Sequence, residues 1–167
     1  VGGQNWVGGI WTGAPFLAYD GATNADNKVI AFAGSTFEKE LRITAMTIGG
    51  EKPVLKQAFE KQEQAAMAGL AAQGGQVVVS LPKLNQLMLV DAKAGTVQGT
   101  VALDDPRGLA FDRQGRLLVL AGTKLLRGRL QDGALAAPER VVAAGLEDPQ
   151  QVVEDAQGNL YVSDRGN

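Results

Sequence analysis

The chain has 167 residues, a formal net charge of −2 at neutral pH, and hydrophobic residues at 45% of its positions. These values fit one globular domain, and the interspersed charges argue against nucleic acid or membrane insertion. The sequence contains no cysteine and no histidine. This excludes disulfides, a Ser-His-Asp triad and transition-metal sites made of thiolates or imidazoles. Carboxylates, lysines, tyrosines and cations with oxygen ligands remain as candidates for chemistry.

The first 60 residues predict a leader followed by one unit of four strands. Residues 1–15 are rich in glycine and contain Trp6 and Trp11. Runs of apolar and alternating residues then predict strands over 16–20, 28–33, 40–47 and 53–59. Pro53 favours an edge position for the fourth strand, because proline has no N–H group to donate to a ladder.

Two further units follow over 61–104 and 105–147. Residues 60–69 contain good helix formers and are consistent with a turn or two of helix. We favour a polar connector there, leading into an inner strand near 67–71. The other predicted strands are 76–80, 86–91, 96–103, 109–112, 116–121, 124–130 and 140–143. Pro138 is expected just before the outer strand of the third unit.

The segment 105–120 recurs 43 positions later, at 148–163. The matched pairs are Pro106 with Pro149, Asp112 with Asp155, and Gly115 with Gly158. Aspartate at the first and glycine at the fourth position of a turn suit a type I turn between two strands. A repeat of this length made of short strands is typical of a β-propeller blade.

We therefore predict an all-β fold, a propeller of four-stranded antiparallel blades. About three and a half blades are expected in the chain, as part of a larger propeller. The expected divisions are a leader at 1–15, blades at 16–60, 61–104 and 105–147, and a partial blade at 148–167.

The best-preserved part of the repeat resembles the NHL-repeat family. The resemblance covers 105–167 and is carried by the runs 106–112, 115–119 and 158–167, which read PRGLAFD, GRLLV and GNLYVSDRGN. It implies six blades and a binding platform, often outside the cell. It also leaves an alternative, because some six-bladed relatives are calcium-dependent lactonases.

The function expected from this resemblance is a non-catalytic scaffold that binds protein or carbohydrate partners, outside the cytoplasm. The remaining blades are expected from the same polypeptide or from another chain. The alternative is a calcium-dependent hydrolase or lactonase. That reading needs a ring of acids and amides around one cation, for which the predicted inner strands offer Glu154 and Asp20.

Two pairs of residues are candidates for ligand contact. Arg107 and Gln150 each follow the proline of the repeat, where an inner strand begins near the channel. Trp6 and Trp11 are candidates for stacking on a sugar or a partner, although such residues also pack over blade edges.

A metal site is the remaining candidate. Oxygen ligands gather in one loop, at Asp20, Asn24, Asp26 and Asn27. Carboxylate and amide oxygens bind Ca²⁺, but the spacing is not that of an EF-hand, and the same residues commonly form turns. No cofactor is expected, with calcium at this loop as the alternative. Asp112 and Asp155 are expected to be turn caps, not a repeated acidic site.

Overall fold

The computed structural model describes residues 16–19, 29–35, 39–47 and 50–166. The first of its sheets, sheet 1, has four strands in chain order. They are β1 (Phe16–Tyr19), β2 (Val29–Ser35), β3 (Glu40–Thr47) and β4 (Gly50–Ala58). A short 3₁₀ helix, Gln62–Ala65, leads from sheet 1 towards the next sheet.

Sheets 2 and 3 repeat this design. Sheet 2 has β5 (Gly69–Gln73), β6 (Gln76–Leu81), β7 (Gln86–Asp91) and β8 (Thr96–Ala102), with a 3₁₀ turn at Pro82–Leu84. Sheet 3 has β9 (Pro106–Phe111), β10 (Leu117–Ala121), β11 (Lys124–Gln131) and β12 (Ala134–Val142). Sheet 4 has two strands among the described residues, β13 (Pro149–Glu154) and β14 (Leu160–Asp164).

Every pairing in these sheets is antiparallel between strands that follow one another in sequence. The strand ends therefore lie at two opposite ends of the sheets, which we call the upper face and the lower face. The upper face holds the connections 82–85, 103–105, 122–123 and 143–148. The lower face holds the connections 74–75, 92–95, 112–116, 132–133 and 155–159. The predicted four-stranded antiparallel units are confirmed.

The sheets pack face to face in chain order, and each interface has its own apolar cluster. Leu41 and Ile43 of sheet 1 pack with Val77 and Val79 of sheet 2. Val78 faces the opposite way and packs with residues of sheet 3. In sheet 3, Leu117 and Val119 face sheet 2, whereas Leu118 and Leu120 pack with Val152 of sheet 4. Strands β6 and β10 are thus buried on both faces, which explains why their sequences do not alternate.

The inner strands β5, β9 and β13 approach one another closely at two glycines. A Cβ atom on Gly108 would lie 2.5 Å from the carbonyl oxygen of Gln150 and 2.6 Å from the Cα atom of Gln151. A Cβ atom on Gly69 would overlap the carbonyl oxygen of Arg107. The backbones meet because glycine has no side chain to hold them apart. A side-chain hydrogen bond also joins sheet 2 to β9, because Ser80 Oγ of β6 donates to the Arg107 carbonyl at 2.7 Å.

The repeated Asp-x-x-Gly turns lie on the lower face. One joins β9 to β10, and the other joins β13 to β14. Gly115 donates its N–H to the Asp112 carbonyl at 2.9 Å and has φ +71°. Gly158 does the same to Asp155 at 3.1 Å, with φ +87°. Glycine is needed at both positions because other L-residues rarely adopt such φ angles.

The prolines of the outer strands lie inside those strands, not before them. Strand β12 begins at Ala134, so Pro138 is an internal residue, and the expectation that it precedes the strand was wrong. The pairing of β12 with β11 shifts between Arg127 and Arg129, beside Pro138. Pro53 likewise lies inside β4, where the register with β3 also shifts. Both strands form sheet edges, so a bulge there accommodates a residue that cannot donate to the ladder.

Within the segment 60–69, the structure has one short 3₁₀ helix at Gln62–Ala65, and β5 starts at Gly69, two residues later than expected. In the described part of the chain, no helix has the length and apolar character that crossing a bilayer requires.

Candidate functional site

Arg107 lies on the upper face at the second position of β9, directly after Pro106. Its side chain is held by two aspartates from different connections. Nε and Nη2 contact Asp105 Oδ2 at 3.1 and 3.0 Å, and Nη1 contacts Asp148 Oδ1 at 2.5 Å. Nη1 also lies 3.4 Å from the Pro149 carbonyl. A guanidinium has five N–H donors, so these contacts leave Arg107 with donor capacity towards solvent.

Gln150 occupies the equivalent position of β13 and meets Arg107 at the same carboxylate. Its Nε2 donates to Asp148 Oδ1 at 2.8 Å and to the Asp148 carbonyl at 3.0 Å. From the other side, Arg165 Nε donates to Asp148 Oδ2 at 2.6 Å. We call Asp105, Arg107, Asp148, Gln150 and Arg165 the upper-face cluster. The structure thus brings the two predicted contact residues together, and their binding of a ligand stays a prediction.

The cluster is held by charge as well as by geometry. Hydrogen bonds first from Arg107 and then from Arg165 lower the pKa of Asp148 below its ordinary value. The hydrogen bonds that Arg107 gives to Asp105 and Asp148 raise the pKa of its guanidinium in turn. Asp148 and Arg107 therefore keep their charges across the neutral range, with Arg107 fixed in one orientation.

The aspartates of the repeat act as turn caps on the lower face, as predicted. Asp112 Oδ1 accepts the N–H groups of Gln114 and Arg116 at 3.0 and 2.8 Å, and Oδ2 accepts from Arg116 Nε at 2.6 Å. Asp155 Oδ1 accepts the N–H groups of Gln157 and Asn159 at 2.9 and 2.8 Å. These bonds satisfy the backbone of a tight turn, which is the role of a cap.

The pKa of Asp155 is lowered to about 2, chiefly by the hydrogen bond from the Asn159 side chain at 2.8 Å. A carboxyl with a depressed pKa stabilises the fold above its unfolded value of about 3.9, and this stabilisation disappears as the pH falls towards 2. We therefore expect the Asp155 carboxyl to titrate near pH 2 by NMR in the folded protein. The substitution Asn159→Ala should raise that midpoint, and a wild-type midpoint at the ordinary value would contradict the cap.

The predicted calcium loop, at Asp20, Asn24, Asp26 and Asn27, lies outside the described residues, as do Trp6 and Trp11. Among the residues that the structure does describe, no three acidic side chains converge as metal ligands. Glu154, a candidate for the lactonase alternative, accepts the backbone N–H of Arg113 through Oε2 at 2.7 Å. Arg113 in turn donates to the carbonyl of Ala156. Glu154 therefore ties neighbouring lower-face turns together.

An open cleft of about 800 Å³ lies beside the upper-face cluster, at the outer side of the interface between sheets 2 and 3. Leu103 and Asp104 line one wall, and Lys124 and Arg140 lie on the sheet 3 side. No motif or pattern in the sequence indicates this cleft. Lys124 and Arg140 come from different strands and read as ordinary exposed positions, so no signal in the sequence would have joined them.

No protein-family model matches the chain, and no curated protein matches it. Several solved structures resemble it in fold. Virginiamycin B lyase from Staphylococcus aureus aligns at 13% identity with a TM-score of 0.61, over 89% of this chain and 48% of that one. Kuenenia stuttgartiensis hydrazine synthase aligns at 13% identity and 0.62, over 87% and 40%. Myxococcus xanthus glutaminyl cyclase aligns at 14% and 0.53, over 92% and 69%.

At these identities the likeness shows the fold alone. The chain spans less than half of the length of the first two structures. Its four-stranded antiparallel sheets, packed face to face in chain order, correspond to neighbouring propeller blades. The chain therefore has a β-propeller-type fold, as predicted from the repeat.

Proposed function

We propose that the chain is part of a non-catalytic β-propeller that binds protein or carbohydrate partners through its upper face. The observation that best supports this proposal is the upper-face cluster, in which Arg107 and Gln150 of neighbouring sheets both contact the carboxylate of Asp148. The side chain of Arg107 keeps 27% of its surface exposed and is already fixed in position. A fixed, partly exposed donor loses little conformational entropy on binding a ligand, which favours recognition.

We further propose that another sheet covers the face of sheet 4 that points away from sheet 3. Val153 and Tyr161 lie there, 57% and 56% exposed. The equivalent residues of sheet 3, one repeat earlier, are Ala110 and Leu118, which pack against sheet 4. A further sheet would bury Val153 and Tyr161 in the same way. The NHL-like repeat supports an origin in a longer propeller, completed by the same polypeptide or by another chain, and acting outside the cytoplasm.

Peptide and glycan arrays probed with the full polypeptide test the proposed function. We expect ligands whose binding falls at least tenfold in Gln150→Ala and in Arg107→Lys, which keeps the charge but loses the planar fork. Gln114→Ala, on the lower face, is the matched control and should leave binding unchanged. All three variants should melt within a few degrees of the parent. Binding insensitive to both upper-face changes would contradict the proposal, as would turnover of the captured ligand.

The alternative of a calcium-dependent hydrolase or lactonase rests on the resemblance to six-bladed relatives and on Glu154 and Asp20 of the predicted inner strands. It predicts that millimolar Ca²⁺ raises the melting temperature of the full polypeptide and that EDTA lowers it. Our proposal predicts no shift with either reagent.

A further inference from the structure

We propose that the cleft between sheets 2 and 3 binds an acidic, extended peptide segment. This inference rests on the proposed function, because the cleft adjoins the upper-face cluster. The Gly122 N–H donates to the Asp105 carbonyl at 3.0 Å, which joins the wall of the cleft to the aspartate that holds Arg107. A volume of about 800 Å³ is within the range of natural ligand sites.

The two positive charges of the cleft favour an acidic ligand. Lys124 and Leu126 are two positions apart on β11, and Leu126 pairs directly with Arg140 of β12. Residues two apart on a strand, and directly paired residues on neighbouring strands, share a face of the sheet. Lys124 and Arg140 therefore flank Leu126 on the side of sheet 3 that faces sheet 2.

Both cations are exposed, and among the described residues neither has an ion-pair partner. In contrast, Arg127, on the opposite face of β11, forms an ion pair with Glu139 at 3.0 Å. Two neighbouring unpaired cations attract a carboxylate that contacts both. Among the described lining residues, Asp104 is the one acid, and we expect it to accept an N–H group from the bound segment.

The remaining lining favours a peptide over a sugar. Leu103, Leu126 and Pro138 supply apolar surface for an aliphatic side chain next to the acid. The described lining contains no aromatic ring on which a sugar would stack. Pro138 has no N–H group to donate and the register of β12 is interrupted beside it, so we expect recognition through side chains and not by strand addition.

The probe is an unstructured, fluorescein-labelled octapeptide with two glutamates flanking a leucine, and its matched control carries glutamine in place of glutamate. We expect the full polypeptide to bind the acidic peptide in fluorescence anisotropy, at least tenfold more tightly than the glutamine control. Binding should weaken steeply between 50 mM and 500 mM salt, because screening reduces attraction between exposed charges. The double variant Lys124→Gln with Arg140→Gln should lose at least tenfold in affinity, whereas Lys93→Gln, on the lower face, should not.

Equal binding of both peptides, or binding that is unchanged in the double variant, would overturn this inference. A uronic acid oligosaccharide is the second probe, and its binding through Lys124 and Arg140 in place of the peptide would also overturn it. The proposed function is judged separately. Array ligands that depend on Gln150 but not on the cleft would leave that function standing while the cleft inference fails.

Discussion

The substitution Gly108→Val should lower the free energy of unfolding by about 3 kcal/mol or more, which is a large effect for a single residue. The added Cβ would meet the backbone of β13 at 2.5 and 2.6 Å, distances that real Cβ atoms essentially never show. Backbone atoms of a paired strand cannot move aside as a flexible side chain can. The strands β9 and β13 would have to separate, and the contact between sheets 3 and 4 would be lost. Urea unfolding of the full polypeptide measures the change.

Gly99→Ala provides the matched control for this prediction. Gly99 lies on β8, and a Cβ atom added there meets nothing within 4 Å. We expect a neutral or slightly stabilising effect, since alanine reduces the freedom of the unfolded chain. Gly108→Ala should fall between the two and keeps the test measurable if the valine variant does not fold. Similar stability of Gly108→Val and Gly99→Ala would show that the inner strands are not in close contact.

Removing the Asp112 carboxylate should cost about 2 kcal/mol, because a buried acceptor of several hydrogen bonds leaves its donors unsatisfied. The Asp112 side chain is fully buried and accepts from two backbone N–H groups and from the Arg116 guanidinium. In Asp112→Ala those donors lose their partner, and water reaches them poorly. Thermal and urea unfolding should both report the loss.

The same turn in sheet 4 supplies the comparison. Asp155 accepts equivalent backbone bonds, but it lies in a more open position. Asp155→Ala should therefore cost less than Asp112→Ala, because solvent replaces part of what the carboxylate provides. An equal cost at the two positions would mean that burial does not decide the strength of these caps. A loss of ligand binding in Asp112→Ala without any loss of stability would contradict its role as a cap.

The repeat made most of the architecture predictable. Matching prolines, aspartates and glycines located the inner strands and their turns because those positions need special backbone chemistry. The core was only partly predictable. Leu118 and Leu120 are as buried as Leu117 and Val119, but an alternating pattern points to one face only. Where a strand is buried on both sides, the sequence indicates burial without indicating which neighbour each residue meets.

Only two positions of the candidate site, Arg107 and Gln150, were predictable from the sequence. Arg107 and Gln150 follow the repeat prolines, so their placement at one face was foreseeable. Their meeting on Asp148 depends on how neighbouring sheets pack, which no local pattern encodes. Lys124 and Arg140 share a face only through a strand register that includes a bulge. Such pairings become visible only in three dimensions.

The fold by itself does not choose between binding and catalysis, since the neighbours in fold include enzymes named as a lyase, a synthase and a cyclase. Our proposal of a binding module therefore rests on the side chains. In the described residues, the conspicuous carboxylates Asp112, Asp148, Asp155 and Glu154 all accept hydrogen bonds from the protein itself. They stabilise turns and sheet contacts, which supports a scaffold.

Hydrogen exchange of the full polypeptide, with and without the tightest ligand from the arrays, tests most directly whether the upper face is the binding face. Our account expects ligand to slow exchange in the upper-face segments 103–107, 122–124 and 147–150. The lower-face turns at 112–115 and 155–158 should exchange at unchanged rates. Protection confined to the lower-face turns, or protection at neither face, would contradict the account.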